Sequence, residues 1–199
     1  MSDGPWKHVA AKTAVDAAKR ADLGEPARAL LTPELTPRQY FDLLAAKPDL
    51  VPDALAFLGS ALPKREAVWW ACQCVRALTP APPPKEEVAL KAAEKWCGLA
   101  SDANRRAAQA AAEEATLATP AGGAALAAFL SEGSLGPPNV QAVPPADHLT
   151  ARLVATTLAV AAVKTQPEKA AEKRKKFVDL GVAVAAGTNR WPDAPPARR

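Results

Sequence analysis

Between residues 62 and 78 the chain reads LPKREAVWWACQCVRAL, with polarity confined to Lys64, Arg65, Glu66, Gln73 and Arg76. Val68, Ala71, Cys72 and Val75 follow the three-and-four spacing of a helical stripe. Ala67, Trp70, Cys74 and Ala77 mark a second stripe on a neighbouring face. A helix apolar on almost every side lies inside a protein, with other helices packed around it. Pro63 suits a first turn, where its missing amide would have no partner in any case. The pattern predicts a buried central helix over 62–78.

The same spacing, read with its stops and starts, predicts further helices on either side. Residues 6–23 form an Ala- and Lys-rich helix whose small apolar residues pack lightly or leave it partly detached. A connector with a helical turn at 27–31 follows. Thr36 as N-cap and Pro37 at the first position open a helix that buries Tyr40, Phe41, Leu43 and Leu44 and stops at Lys47-Pro48. A helix from Val51 carries Leu55, Phe57, Leu58, Ala61 and Leu62 inward. After the stiff spacer TPAPPP at 79–84 come amphipathic helices over 85–99 and 102–118, the second capped by Ser101. Residues 119–123 break that second helix, 124–130 form a short apolar helix, and 131–145 form a Gly- and Pro-rich loop. Helices over 147–164 and 168–186 complete the array, the last charged in its first half and apolar in its second.

The expected fold class is therefore all-α: an irregular layered helical array, HEAT-like in style or a compact bundle, around the helix at 62–78. No fixed repeat period is present. The expected organisation is an N-terminal helix and connector at 1–35, a helical domain at 36–187 and a flexible tail at 188–199 that Trp191 can pin.

Composition narrows this picture. The hydrophobic fraction is 49% of 199 residues, but alanine dominates it and aromatics are only 5%, so the five tryptophans must anchor much of the packing. Twenty prolines against ten glycines suit short helices with rigid connectors. The net charge of +4 is too mild to imply nucleic acid by itself. Three cysteines, an odd number, do not make a disulfide framework. With no apolar run of signal-peptide or membrane-span length, a cytoplasmic location without a membrane span is expected.

Candidate chemistry is sparse. Cys72, Cys74 and Cys97 with His148 or His8 have the atoms of a zinc site. Helical residues two apart point about 200° from each other, so Cys72 and Cys74 cannot easily share a metal. Buried structural thiols are the expectation, with no metal and no cofactor. No nucleophile, base and oxyanion set stands out, nor a phosphate loop, so no enzyme activity and no catalytic residue is assigned. The concentrated basic patch is Lys169, Lys173, Arg174, Lys175 and Lys176, a solvated face or a contact for phosphates or an acidic surface. Aromatics are not interleaved through it, which disfavours nucleic acid. Trp69, beside Gln73, Arg76 and Arg65, is the candidate anchor for another protein, because tryptophan is enriched at interface hot spots.

The run from Leu62 to Cys72, with Ala54-Leu55-Ala56-Phe57-Leu58 and the Thr36-Pro37 helix start before it, resembles an uncharacterised family of small, all-helical bacterial proteins. The resemblance covers about residues 30–115. It implies proteins found near type VI secretion genes, hence an accessory role, and it supplies no catalytic residues. The expected function is non-catalytic protein–protein interaction by an adaptor, an accessory component of a secretion system. Nucleic-acid or acidic-surface binding through the helix at 168–177 is the second reading, and an enzyme of unknown class the third.

Overall fold

A computed structural model describes residues 6–137 and 139–192, and the description below concerns those residues. They form ten α-helices, joined by turns and loops. The first five are α1 (Ala14–Ala18), α2 (Glu25–Arg28), α3 (Pro37–Ala45), α4 (Val51–Ala61) and α5 (Lys64–Leu78). The second five are α6 (Pro84–Gly98), α7 (Asp102–Ala115), α8 (Pro120–Phe129), α9 (Leu149–Lys164) and α10 (Ala170–Ala186). No helix among them is long and apolar enough to cross a membrane.

Local chemistry explains where several helices begin. The Thr36 hydroxyl accepts from the Gln39 amide, and the Gln39 side chain accepts from the Thr36 amide, closing a reciprocal cap on α3. Ser101 accepts from Asn104 N at the start of α7, and Thr119 accepts from Gly122 N at the start of α8. Each bond satisfies an amide that the helix itself leaves open.

Helix α5 lies at the centre, packed against α4, α6, α8, α9 and α10. Val68, Trp70, Ala71, Cys72 and Cys74 are fully buried in it. The contacts between α5 and both α9 and α10 join elements far apart in the chain, so the layers close on themselves as a compact array. Helix α10 reaches α5 closely at Gly181. A Cβ there would stand 2.5 Å from Leu58 Cδ2 and 2.8 Å from Trp70 Cε2. Trp70 Nε1 also donates to the Phe177 carbonyl at 2.9 Å, tying the central helix to α10.

The far ends of the helices show a common device. Most have no glycine cap, and cations from other parts of the chain reach their last carbonyls. Arg20 donates to Ser60 O at the end of α4, and Lys176 to Ala77 O at the end of α5. Arg65 donates to Cys97 O and Gly98 O at the end of α6. Arg105, 1% exposed, donates to Phe129 O at the end of α8. Lys173 donates to Ala162 O, Thr165 O and Gln166 O at and beyond the end of α9. A helix C-terminus carries a partial negative charge and open carbonyls, so a cation answers both needs.

Two expectations are corrected. The helix expected over 6–23 is only α1, and residues 6–13 lie along the core instead, with Lys7 N and His8 N donating to Ala185 O and Ala10 N to Ala61 O. Ala14, Ala17 and Ala27 are fully buried, so the N-terminal part is an integral layer: small residues pack closely where alanine allows backbones to approach. The break after α7 falls at 116–119, and the next helix starts at Pro120 rather than 124, because Thr119 caps it and the two glycines continue it. Trp191 is buried, which holds residues 188–192 against the core; residues 193–199 lie outside the described part.

Candidate functional site

The four residues expected to form a contact surface lie along α5, but the molecule uses most of them internally. Trp69 is 7% exposed. Its Nε1 donates to Asn189 Oδ1 at 3.0 Å, and its ring meets Trp191 edge-on, with centroids 6.3 Å apart. Sequence patterning placed Trp69 at a partly open edge; the residues after α10 fold back and cover that edge. Arg65 lies 4.4 Å from the Trp191 ring centroid while its donors hold the end of α6.

Arg76 bridges α5 to α6. It donates to Glu94 at 2.6 and 2.9 Å and to Glu87 at 2.9 Å. The Glu94 and Glu87 carboxylates push the already high guanidinium pKa further up. In return Arg76, with Lys91, holds the Glu87 carboxyl below its ordinary value. Gln73 is half-buried on the same helix. Arg65, Trp69 and Arg76 therefore join α5 to α6 and to the segment after α10.

The basic patch is also divided. Lys173 is buried beneath the surface, holding three carbonyls at the end of α9, and so leaves the patch. Lys176 is exposed but donates to Ala77 O. Lys169, Arg174 and Lys175 remain at the surface. Their spacing follows the helix: residues three and four apart share a face, so Lys173 and Phe177 turn inward while Arg174 and Lys175 turn out.

Arg174 and Lys175 line an open trough of about 620 Å³. Its other walls are Ala45, Ala46, Pro48 and Val51 at the junction of α3 and α4, and Ala171, Val178 and Asp179 on α10. Val178 is buried and Val51 half-buried, which makes the floor apolar. No described side chain engages Arg174 or Lys175 in a hydrogen bond or ion pair. The trough escapes a reading of the sequence, because its walls come from opposite ends of the chain and each is too short to announce a groove.

None of the three thiols lines the trough. Cys72, Cys74 and Cys97 are free and buried. Burial pushes all three thiol pKa values well up, with the neighbouring Cys97 and Glu94 adding to the effect at Cys72. Cys97 Sγ donates to Arg65 O at 3.6 Å. His148 precedes α9. His8 Nδ1 stands 3.4 Å from Glu66 Oε1 at the start of α5, so the two histidines and three cysteines are not brought together as a ligand set.

A family model described as a family of unknown function, DUF6931, matches residues 40–185. The chain belongs to that family. The DUF6931 region runs from Tyr40 in α3 almost to the end of α10, starting after Thr36-Pro37 and ending well beyond the 30–115 that the resemblance covered. It therefore contains the whole trough, as well as Arg65, Trp69, Gln73 and Arg76. Residues 6–39 and 186–192, which pack on its surface, lie outside the match. No curated protein and no solved structure matches the chain.

Proposed function

We propose that this DUF6931 protein is a non-catalytic adaptor that binds another protein in the trough between the α3–α4 junction and α10. The observation that carries the reading is the pairing of an apolar floor with two unengaged cations on one rim. Arg20, Arg65, Arg76, Arg105 and Lys173 serve internal contacts, whereas Arg174 and Lys175 are left to face the trough they line. The fitting partner is an amphipathic helix with an apolar face and carboxylates along one edge. Asp179 at the far end of the rim repels acid there and sets the direction in which the helix lies. The likeness of residues 62–72 to proteins encoded near type VI secretion genes supplies a setting: an accessory component of a bacterial secretion machine, acting in the cytoplasm. Buried thiols of raised pKa support a non-catalytic reading over a cysteine enzyme.

The test is recovery of partners from the native host with the unchanged chain and with an Arg174→Glu/Lys175→Glu double variant. The expected result is a stoichiometric protein partner that is lost with the charge reversal and weakened by salt. Equal recovery by both chains removes the trough from the interface. Recovery of polynucleotide in place of protein replaces the adaptor with a phosphate binder.

A further inference from the structure

The segment after α10 folds back against α5. Gly187 adopts a left-handed conformation (φ 78°) and turns the chain back over α5. Thr188 N and Asn189 N both donate to one carbonyl, that of Ala183. Beyond them, side chains make the attachment. Asn189 Oδ1 accepts the Trp69 indole N–H, and the Trp191 ring enters a cleft between Arg65 and Trp69. A cation over the face and an indole against the edge are the two arrangements an aromatic ring favours. The cleft thus offers an aromatic side chain both a cation and an indole, and not apolar surface alone.

Three features make the segment separable from its cleft. Trp191 Nε1 is buried without a protein partner, so seating the ring leaves a donor unanswered. The segment follows α10 and turns at a left-handed glycine, so lifting it releases the Thr188 and Asn189 bonds to Ala183 O while Gly187 N still closes α10 on Val184 O. The cleft residues Arg65 and Trp69 lie inside the family region at 40–185, whereas the segment that fills the cleft lies outside it.

We propose that Arg65 and Trp69 form an aromatic docking cleft, that residues 188–191 plug it in cis, and that an extended partner segment carrying tryptophan two residues after a carboxamide or carboxylate displaces the plug. The plug is thus an autoinhibitory contact, and a partner must outcompete a tethered rival at high effective concentration. This inference is independent of the trough, which lies on other residues.

A capped peptide with the sequence of residues 187–192, GTNRWP, is the probe. Its binding is measured by fluorescence anisotropy to the full chain and to a Trp191→Ala variant whose fold is checked by circular dichroism. The variant is expected to bind the peptide at least about ten-fold more tightly than the unchanged chain, by removal of the tethered competitor. The same peptide with Trp→Ala is expected to fail. Equal binding to both chains, or no binding to the folded variant, overturns the proposal. Should Trp191→Ala not fold, hydrogen exchange on the unchanged chain decides. Exchange of the Thr188 and Asn189 amides at least about ten-fold faster than those of 178–184 supports a liftable plug. Exchange in step with α10 makes the segment core and overturns it.

Discussion

Gly181 shows how a single residue can invert a general rule. Glycine to alanine inside an exposed helix ordinarily gains about 1 kcal/mol, because alanine loses less backbone entropy. Here the new methyl would stand 2.5 Å from Leu58 and 2.8 Å from Trp70, both fully buried. Overpacking of this kind costs about 1–3 kcal/mol, so Gly181→Ala is expected to destabilise the protein, seen as a lower urea midpoint. His8 gives a pH dependence. Its pKa is held below the ordinary 6.5, first by burial and then by Arg190, with Lys7 adding to this and Glu66 opposing it. The unfolded chain therefore takes up this proton at a higher pH than the folded chain does. Stability contributed at this site is complete above pH 6.5, falls as the pH drops toward the lower folded value, and then levels off. Urea unfolding at a series of pH values should show that fall, and His8→Gln should flatten it.

At the scale of the element, helix starts and helix ends were decided differently. Thr36-Pro37 and Ser101 are legible in the sequence, since each cap acts on an amide two or three residues away. The ends are not, because Arg65 reaches from α5 to the end of α6, and Lys176 from α10 back to the end of α5. Lys173 illustrates the consequence. It stands in a run of four basic residues and reads as a solvated face, yet it is buried and closes α9. Lys173→Met keeps the apolar stem and removes the donor. It is expected to cost on the order of 2 kcal/mol through the carbonyls left open, with the loss seen in urea unfolding and faster amide exchange localised to 161–169. Arg105 makes a wider set of bonds, to Asp102, Phe129 O and Ser134 O, and packs over the Phe129 ring. Arg105→Met should therefore cost more than Lys173→Met, about 3 kcal/mol in the same measurement.

At the scale of the whole molecule, the matched region and the folded core do not coincide. The family match begins at residue 40, but the core continues through Ala11, Ala14, Ala17, Leu23 and Ala27. Tyr40 donates to Ala27 O, Ser60 to Ala17 O, and Trp6 packs on Phe41 with centroids 5.2 Å apart. Deleting residues 1–27 would uncover Tyr40, Phe41 and the α4 face together, leaving an apolar patch that monomers rarely expose. The truncated chain is expected to bind a hydrophobic dye and to unfold at lower urea than the full chain. A fragment as stable as the full chain would make the N-terminal layer dispensable.

The sequence by itself determined the all-helical class, the central place of the helix at 62–78 and most helix starts. These depend on periodicity and on caps, which act within one or two turns of a helix. It also separated the one cluster of cations from an otherwise mixed charge pattern. Only the tertiary structure decided what each polar residue does. Trp69 is covered by a segment that begins more than a hundred residues later, Arg76 is engaged by carboxylates of the next helix, and the trough draws its walls from α3, α4 and α10. Such contacts depend on which helices meet and at what angle. No spacing along a single helix records that.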